Sequence, residues 1–395
     1  MAHKSMVGGT AYNISSGKSM VSGTVYDIKK GRTLVEGTGY DINFKPEATA
    51  MLYSDNSFVF QEGADIEEGK TLVASYTNFE DITTSPRWNG KQKNFTSVSF
   101  NTEIAPVSMN QWFVGARNMK ANISTFTNLN MNNVTSMFST YNNCSNLTGS
   151  PVCGDNVINM YYTYSNCSNL TGSPVCGEKV TNMARTYFNC YNLTGSPVCG
   201  NNVTSMGSTY SNCYNLTGFP VCGDNVTDMY YTYGECYNLT GSPVCGEKVT
   251  NMTNTYYNCC NLTGSPVCGD NVTNMGSTYE NCSNLTGSPV CGNNVTNMSN
   301  TYSNCSNLTG NAYFYSSVVN HSRNCFCNKN NSKQLNIYVP SGSTTQTTVL
   351  ISNAYSLIGK SITYTNAGTY HYNTKYNIYI YPVENVAAAR AANGD

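Results

Sequence analysis

The sequence predicts an α/β solenoid of 23-residue coils, each with one short strand and one short helix, and with small β regions at both ends. Three observations predict it. A cysteine recurs at Cys144, Cys167, Cys190, Cys213, Cys236, Cys259, Cys282 and Cys305, always twenty-three residues on. Leu147 opens a column with the same step that ends at Leu308, and Met160 opens another that ends at Met298. A unit this small cannot bury its own apolar face, so constant apolar columns mean that neighbours stack and share one core.

Within one coil, Val157, Met160 and Tyr164 stand at i, i+3 and i+7, the spacing of one helical face. Asp155 or Asn156 is placed to cap that helix. Gly149 and Pro151 keep any strand between Leu147 and Cys153 short.

The segments CSNLT, NVTNM and TY of each coil resemble the BspA-type leucine-rich repeat of bacterial surface proteins and of phages of gut bacteria. The resemblance covers roughly residues 100 to 340. The coil departs from the usual pattern in being shorter, in carrying Tyr where Phe is usual after Thr, and in a second cysteine within PVCG. The resemblance implies a right-handed solenoid used for adhesion, with no catalytic residue. It also implies that the column Asn146, Asn169, Asn192, Asn215, Asn238, Asn261, Asn284 and Asn307 is buried, its amides donating to and accepting from backbone at the turn.

Taken in order, residues 1–43 hold a shorter repeat, with Tyr12, Tyr26 and Tyr40 fourteen residues apart and Val7, Val21 and Val35 on the same step. Alternation of apolar and polar residues reads as three short strand pairs. Three such pairs make a poor core alone, and the stretch resembles N-termini of virion proteins of phages infecting gut Firmicutes. It is the candidate for attachment or oligomerisation, through Tyr12, Tyr26 and Tyr40; the bland alternative is a β appendage without a partner. Residues 44–100 read as a small β domain, with a turn at Asp55–Asn56 and with Trp88 and Trp112 flanking its end. Residues 101–332 are the solenoid with its caps, which keep the end columns out of water. Residues 333–395 read as a β-rich cap or terminal domain from the runs LNIYV, TTVLI, KSITYT and YNIYIYPV, dense in tyrosine between Tyr364 and Tyr381.

Composition bounds the function. The chain has 395 residues, a net charge of −1 and only 11% charged residues, which leaves no basic excess for nucleic acid. No run of eighteen apolar residues exists to enter a membrane. The first twenty residues hold no apolar stretch of the length a signal peptide needs. The expected location is therefore a virion, made in the host cytoplasm; a bacterial cell surface is the alternative. Fifteen of the eighteen cysteines fall in the NC and PVCG columns. They are either a disulfide framework or stacked buried thiols, and synthesis in a reducing cytosol favours thiols.

Enzyme chemistry finds no foothold. The three histidines, His3, His321 and His371, stand near no nucleophile or metal cluster, and no phosphate-binding glycine motif occurs. No converging perturbed groups are in view, so no catalytic residue, metal or cofactor is expected. Function falls instead to the columns that vary. The residue after the NC cysteine reads Ser145, Ser168, Tyr191, Tyr214, Tyr237, Cys260, Ser283, Ser306. The pair after the Met column is Tyr161–Tyr162 in one coil and Tyr230–Tyr231 three coils later. Tyrosine brings contact area at low entropy cost, so these seven tyrosines are the candidate ligand surface, with Tyr191, Tyr214 and Tyr237 as a ladder for sugar rings. A solvated stripe that merely covers the edge is the alternative. The expected role is a virion structural protein, a fibre or surface decoration, with other virion proteins, copies of itself and a bacterial surface or glycan receptor as partners. The alternatives are a bacterial surface adhesin and an architectural protein that packs on itself.

Overall fold

The computed structural model describes residues 3–7, 10–14, 18–21, 24–27, 31–35, 38–42, 47–315, 318–319, 325, 334–342, 344–346, 361–363 and 378–394. Its centre is a stack of coils in which backbone bonds step by one repeat. Parallel bridges join Ser136, Asn159, Asn182, Ser205, Asp228, Asn251, Asn274 and Asn297 in succession. The N–H groups of Met160, Tyr162, Tyr164 and Asn166 donate to the carbonyls of Asn182, Ala184, Thr186 and Phe188 in the next coil, at 3.0, 3.2, 2.9 and 2.7 Å. In the other direction Thr181 N–H donates back to Ile158, beside the Asn159–Asn182 bridge, and Thr171 N–H donates back to Gly149.

The expected helix is absent: among the described residues the only α-helix is Val386–Ala392, beyond the coils. The backbone accounts for this. Tyr162 and Asn166 are left-handed, with φ of 60° and 61°, and the equivalent residues are so in every coil. Two left-handed residues four apart cannot lie inside a right-handed helix. The alternate N–H groups, on Thr163, Ser165 and Cys167, close turns on Met160, Tyr162 and Tyr164, and the Asn159 side chain accepts from Tyr161 N–H at 2.9 Å. Every N–H from Met160 to Cys167 is thus satisfied by turns and rungs, which answers the accounting a helix would otherwise answer. A chain of three-residue turns points Val157, Met160 and Tyr164 inward at the same spacing as a helix. Asp155 and Asn156 have no helix to cap; Asn156 Nδ2 donates instead to the Asn132 carbonyl of the coil before, at 2.6 Å.

The constant columns are the core. Val157, Met160, Tyr164, Cys167 and Leu170 and their equivalents are wholly shielded from water, and burial of each such aliphatic side chain contributes roughly 1.5–3 kcal/mol. The inner tyrosines form a continuous pile from Tyr141 to Tyr302, with ring centroids 5.4 to 5.6 Å apart and planes within 8°. From Tyr164 to Tyr279 each hydroxyl crosses the coil: Tyr233 Oη donates to the Val221 carbonyl at 2.6 Å and accepts from its N–H at 3.0 Å. A buried threonine precedes each inner tyrosine. Thr255 Oγ1 lies 2.8 Å from both the Met229 carbonyl of the previous coil and the Met252 carbonyl of its own.

The asparagine column that was expected inside is outside. Asn169, Asn192, Asn215 and Asn238 are exposed, and Asn192 and Asn238 donate to the Ser168 and Tyr214 carbonyls one coil back, both at 2.9 Å. The half-buried amides are those just before the cysteine, where Asn189 donates to Asn166 and Asn212 to Asn189, each at 2.7 Å. All the described cysteines are free thiols.

The ends differ. Residues 47–100 hold a four-stranded sheet in the order Ser97–Phe100, Ser57–Glu62, Ala48–Tyr53, Leu72–Tyr76, with the first pair parallel and the others antiparallel. Asn56, at φ 61°, turns the chain between its central strands. Phe58, Phe60, Trp88 and Trp112 pack over the sheet, and Phe113 stacks on Tyr141 at 5.4 Å, so the core runs unbroken from sheet to coils. At the other end Val290–Cys291, Gly310–Phe314, Leu335–Pro340 and Ile378–Val383 form a parallel sheet that continues the rung direction. Tyr313, Tyr338 and Tyr381 stack along it at 5.2 and 5.1 Å. TTVLI, and the tyrosines at 364, 370, 372 and 376, lie outside the described residues, as do His321, His371 and Cys327. Near the N-terminus His3–Val7 pairs with Thr10–Ile14, Lys18–Val21 with Thr24–Asp27, and Gly31–Val35 with Thr38–Ile42, all antiparallel.

Candidate functional site

The coil period sets the geometry of the outer ladder. The residue after each NC cysteine sits at the same corner of its coil, so Tyr191, Tyr214 and Tyr237 are brought one above another. Their centroids are 5.0 and 5.3 Å apart, with planes tilted by 8° and 19°. All three are exposed, at 37%, 37% and 39%. Burial, then the neighbouring Tyr191, pushes the Tyr214 phenol above its ordinary value. At the far end the Tyr237 hydroxyl donates to Glu235, which holds its pKa well up. Glu235 stands where other coils carry the amide of the inner asparagine ladder, and it also accepts from Asn258 Nδ2 at 2.8 Å.

The ladder has an open end. Below Tyr191 the corner column turns to Ser168 and Ser145, and below them to Arg117. Arg117 belongs to this column although it lies twenty-eight residues before Ser145. Asn146 donates to its carbonyl at 2.7 Å as Asn192 donates to that of Ser168, and Cys144 Sγ reaches the Phe113 carbonyl as Cys167 reaches that of Tyr141. The capping coil is longer than the others, which hides the alignment in the sequence. Arg117, Asn143, Ser145, Asn166, Ser168, Asn189 and Tyr191 line a notch of about 260 Å³. It carries one cation, three amides, two hydroxyls and one ring face, and no carboxylate.

The other four candidate tyrosines do not join the ladder. Tyr161 and Tyr162 meet edge to face at 4.4 Å, Phe138 stacks on Tyr161 at 5.9 Å, and Arg185 hydrogen-bonds Tyr162 while lying 5.3 Å over its ring. Tyr230 and Tyr231 lie 6.2 Å apart, with Tyr257 6.3 Å from Tyr231. Burial and Glu235 push the Tyr231 phenol up to about 12. These are two separate clusters three coils apart. Tyr12, Tyr26 and Tyr40 stand opposite Ser5, Ser19 and Thr33 in the three hairpins, the same place in each; their side chains lie outside the described residues.

Two open troughs repeat at the three-coil interval, one between Cys153 and Lys179 of about 640 Å³ and one between Pro220 and Lys248 of about 710 Å³. Their thiols are not poised for chemistry. Burial pushes Cys153 up to about 12 and Cys222 up to about 11, so they stay protonated at neutral pH and are poor nucleophiles and ligands. Among the described residues no three of His, Cys, Asp and Glu converge to hold a metal, and no helix is long and apolar enough to cross a membrane.

The family described as "Mycoplasma protein of unknown function, DUF285" matches residues 78–174, 107–220 and 227–338, together more than half of the chain. It agrees with the coarse form of the resemblance, a BspA-like repeat protein. No curated protein matches. Among solved structures, a leucine-rich cell surface protein from Faecalibacterium prausnitzii A2-165 is 14% identical, covering 88% of this chain and 96% of its own, with a TM-score of 0.32.

Proposed function

Because the chain belongs to the DUF285 family, whose members are described only as of unknown function, we propose from the geometry that it is a non-enzymatic surface recognition protein. In this reading the coil stack is a leucine-rich repeat solenoid that presents the Tyr191–Tyr214–Tyr237 ladder to sugars of a bacterial surface. The single observation that carries it is the ladder itself: three parallel phenol rings left in water on a scaffold that wholly shields its inner tyrosine pile. Sugar C–H groups pack on the open end face and along the exposed ring edges of the ladder, and the rigid backbone spends little entropy in holding them ready.

The carrier we propose is a virion, with the three N-terminal hairpins and Tyr12, Tyr26 and Tyr40 as the attachment or oligomerisation element. What supports this is the likeness of those repeats to virion N-termini. A bacterial cell surface is the second reading, favoured by the bacterial name of the matched family. Locating the protein by antibody labelling, on purified particles or on cell envelopes, separates the two. The recognition role is tested by a variant carrying Tyr191→Ala, Tyr214→Ala and Tyr237→Ala. It should keep its melting temperature within a few degrees and lose adherence to bacterial cells. Equal adherence would remove the ladder from the function. An assembled particle in which copies bury the ladder against one another would replace recognition by architecture.

A further inference from the structure

The open end of the ladder differs from its middle. A ring in the middle has another ring on each side; Tyr191 has Tyr214 on one side and the serine step on the other. That free face looks across two coils of small side chains toward Arg117. The gap therefore has an aromatic wall, a cationic wall and a floor of amides and hydroxyls. Much of the floor is already arranged. Asn189 Nδ2 donates to Asn166 Oδ1 at 2.7 Å, Asn166 Nδ2 to Ser165 Oγ at 3.3 Å, and Ser168 Oγ to the Ser145 carbonyl at 3.3 Å. The Asn143 backbone N–H is used on the Ser165 carbonyl, whereas its side-chain amide makes no hydrogen bond among the described residues and is left for a ligand.

The guanidinium of Arg117 is exposed, and among the described residues no carboxylate pairs with it. No acidic side chain lines the notch to repel an anion. Guanidinium is matched in shape to carboxylate, which it binds through two parallel N–H donors. The volume of the notch suits one monosaccharide ring rather than an extended chain.

We propose that the notch between Arg117 and Tyr191 binds a single pyranose residue carrying a carboxylate, of the uronic or sialic type. Its ring face stacks on Tyr191, its carboxylate pairs with Arg117, and its hydroxyls meet Asn143 and Asn189. The inference rests on the sugar-binding reading above and names the sugar class. The ring edges and hydroxyls of Tyr214 and Tyr237 then line the path of the next sugars of the chain, without regard to charge.

The test uses the full chain and immobilised oligosaccharides ending in galacturonic acid or in sialic acid, each paired with its carboxyl-reduced counterpart. The expected result is at least a tenfold preference for one acid form over its reduced partner, weakening as salt is raised. Arg117→Gln should abolish the preference, bringing the affinity for the acid form down to that of the reduced form. Tyr191→Ala should weaken both forms. Equal affinity for acid and reduced sugars, or a preference that survives Arg117→Gln, overturns this inference and leaves the ladder reading standing. Absence of binding to any member of either pair, and to bacterial cells, overturns the ladder reading and this inference with it.

Discussion

Two piles of tyrosine run along the same stack, and the period sets both. The inner pile, from Tyr141 to Tyr302, repeats at 5.4 to 5.6 Å, and the outer ladder at 5.0 and 5.3 Å. Stacking alone therefore says nothing about purpose: any aromatic residue kept in one column of a tight coil must lie over its neighbour. The difference lies in what else each phenol meets. An inner hydroxyl spans the coil to a backbone N–H and C=O that have no water to turn to, whereas the rings of the outer ladder stand in solvent. One pile holds the coil closed; the other is held up by it.

That contrast can be broken most completely with alkali. The inner phenols and the buried thiol column are all pushed upward by burial, from ordinary values of 10.0 and 9.0. With folded values above unfolded ones, their protonated forms stabilise the fold fully below about pH 9, and that stability is lost as pH rises through the folded values. Titration followed by circular dichroism and phenolate absorbance should show cooperative unfolding well above neutrality, with the inner phenols ionising only as the fold goes. Full ionisation of all tyrosines ahead of any backbone change would contradict the inner assignment.

Truncation comes next in size. Tyr233→Ala should cost about 3–5 kcal/mol, with a further penalty for the Val221 groups it orphans, and Leu216→Ala about 2–5 kcal/mol. Tyr214→Ala should stay within about 1 kcal/mol, since it removes a largely exposed ring. Urea unfolding measures all three, and equal losses at Tyr233 and Tyr214 would erase the distinction between the piles.

Removing one oxygen sharpens it further. Tyr233→Phe leaves a buried donor and acceptor unpaired and should cost about 1–3 kcal/mol. Tyr141 is the internal control, because its hydroxyl is buried without a partner; Tyr141→Phe should be neutral or slightly stabilising. A smaller loss than that of Tyr233→Phe is expected at the threonine beside the pile. Thr255→Val keeps the volume and loses the hydroxyl between the Met229 and Met252 carbonyls, for about 1–2 kcal/mol by denaturant midpoint.

The core was legible in the sequence because a fixed period converts identity of residue into identity of place: the Val, Met, Cys and Leu columns are dry throughout. The local path was not. Inward residues three and four apart read equally as a helix or as successive turns, and only the left-handed residues decide. One set falls at Tyr162, Arg185, Ser208, Tyr231 and Asn254, with no common side chain to announce it; the other is the column Asn143, Asn166, Asn189, Asn212, Asn258, whose asparagines favour that conformation and are the signal the sequence did carry. The asparagine column was misplaced for a related reason, since an amide that binds backbone does so as readily at a wet corner as at a dry one. Of the candidate site, Tyr191, Tyr214 and Tyr237 could be aligned by counting. Arg117 could not, because the capping coil breaks the count, and the amides of Asn143 and Asn189 enter the notch only through the turn that folds them beside the next column.

The strict rung pairing has a genetic consequence. Residues 214–236 form one full turn of the stack, and their loss in frame would join Cys213 to Tyr237 with every inward column still in line. The ladder would drop from three rings to two while the notch at Tyr191 stayed as it is. Recombination between near-identical segments can therefore lengthen or shorten the aromatic track without redesigning either the scaffold or the terminal pocket, so reach and selectivity can evolve separately.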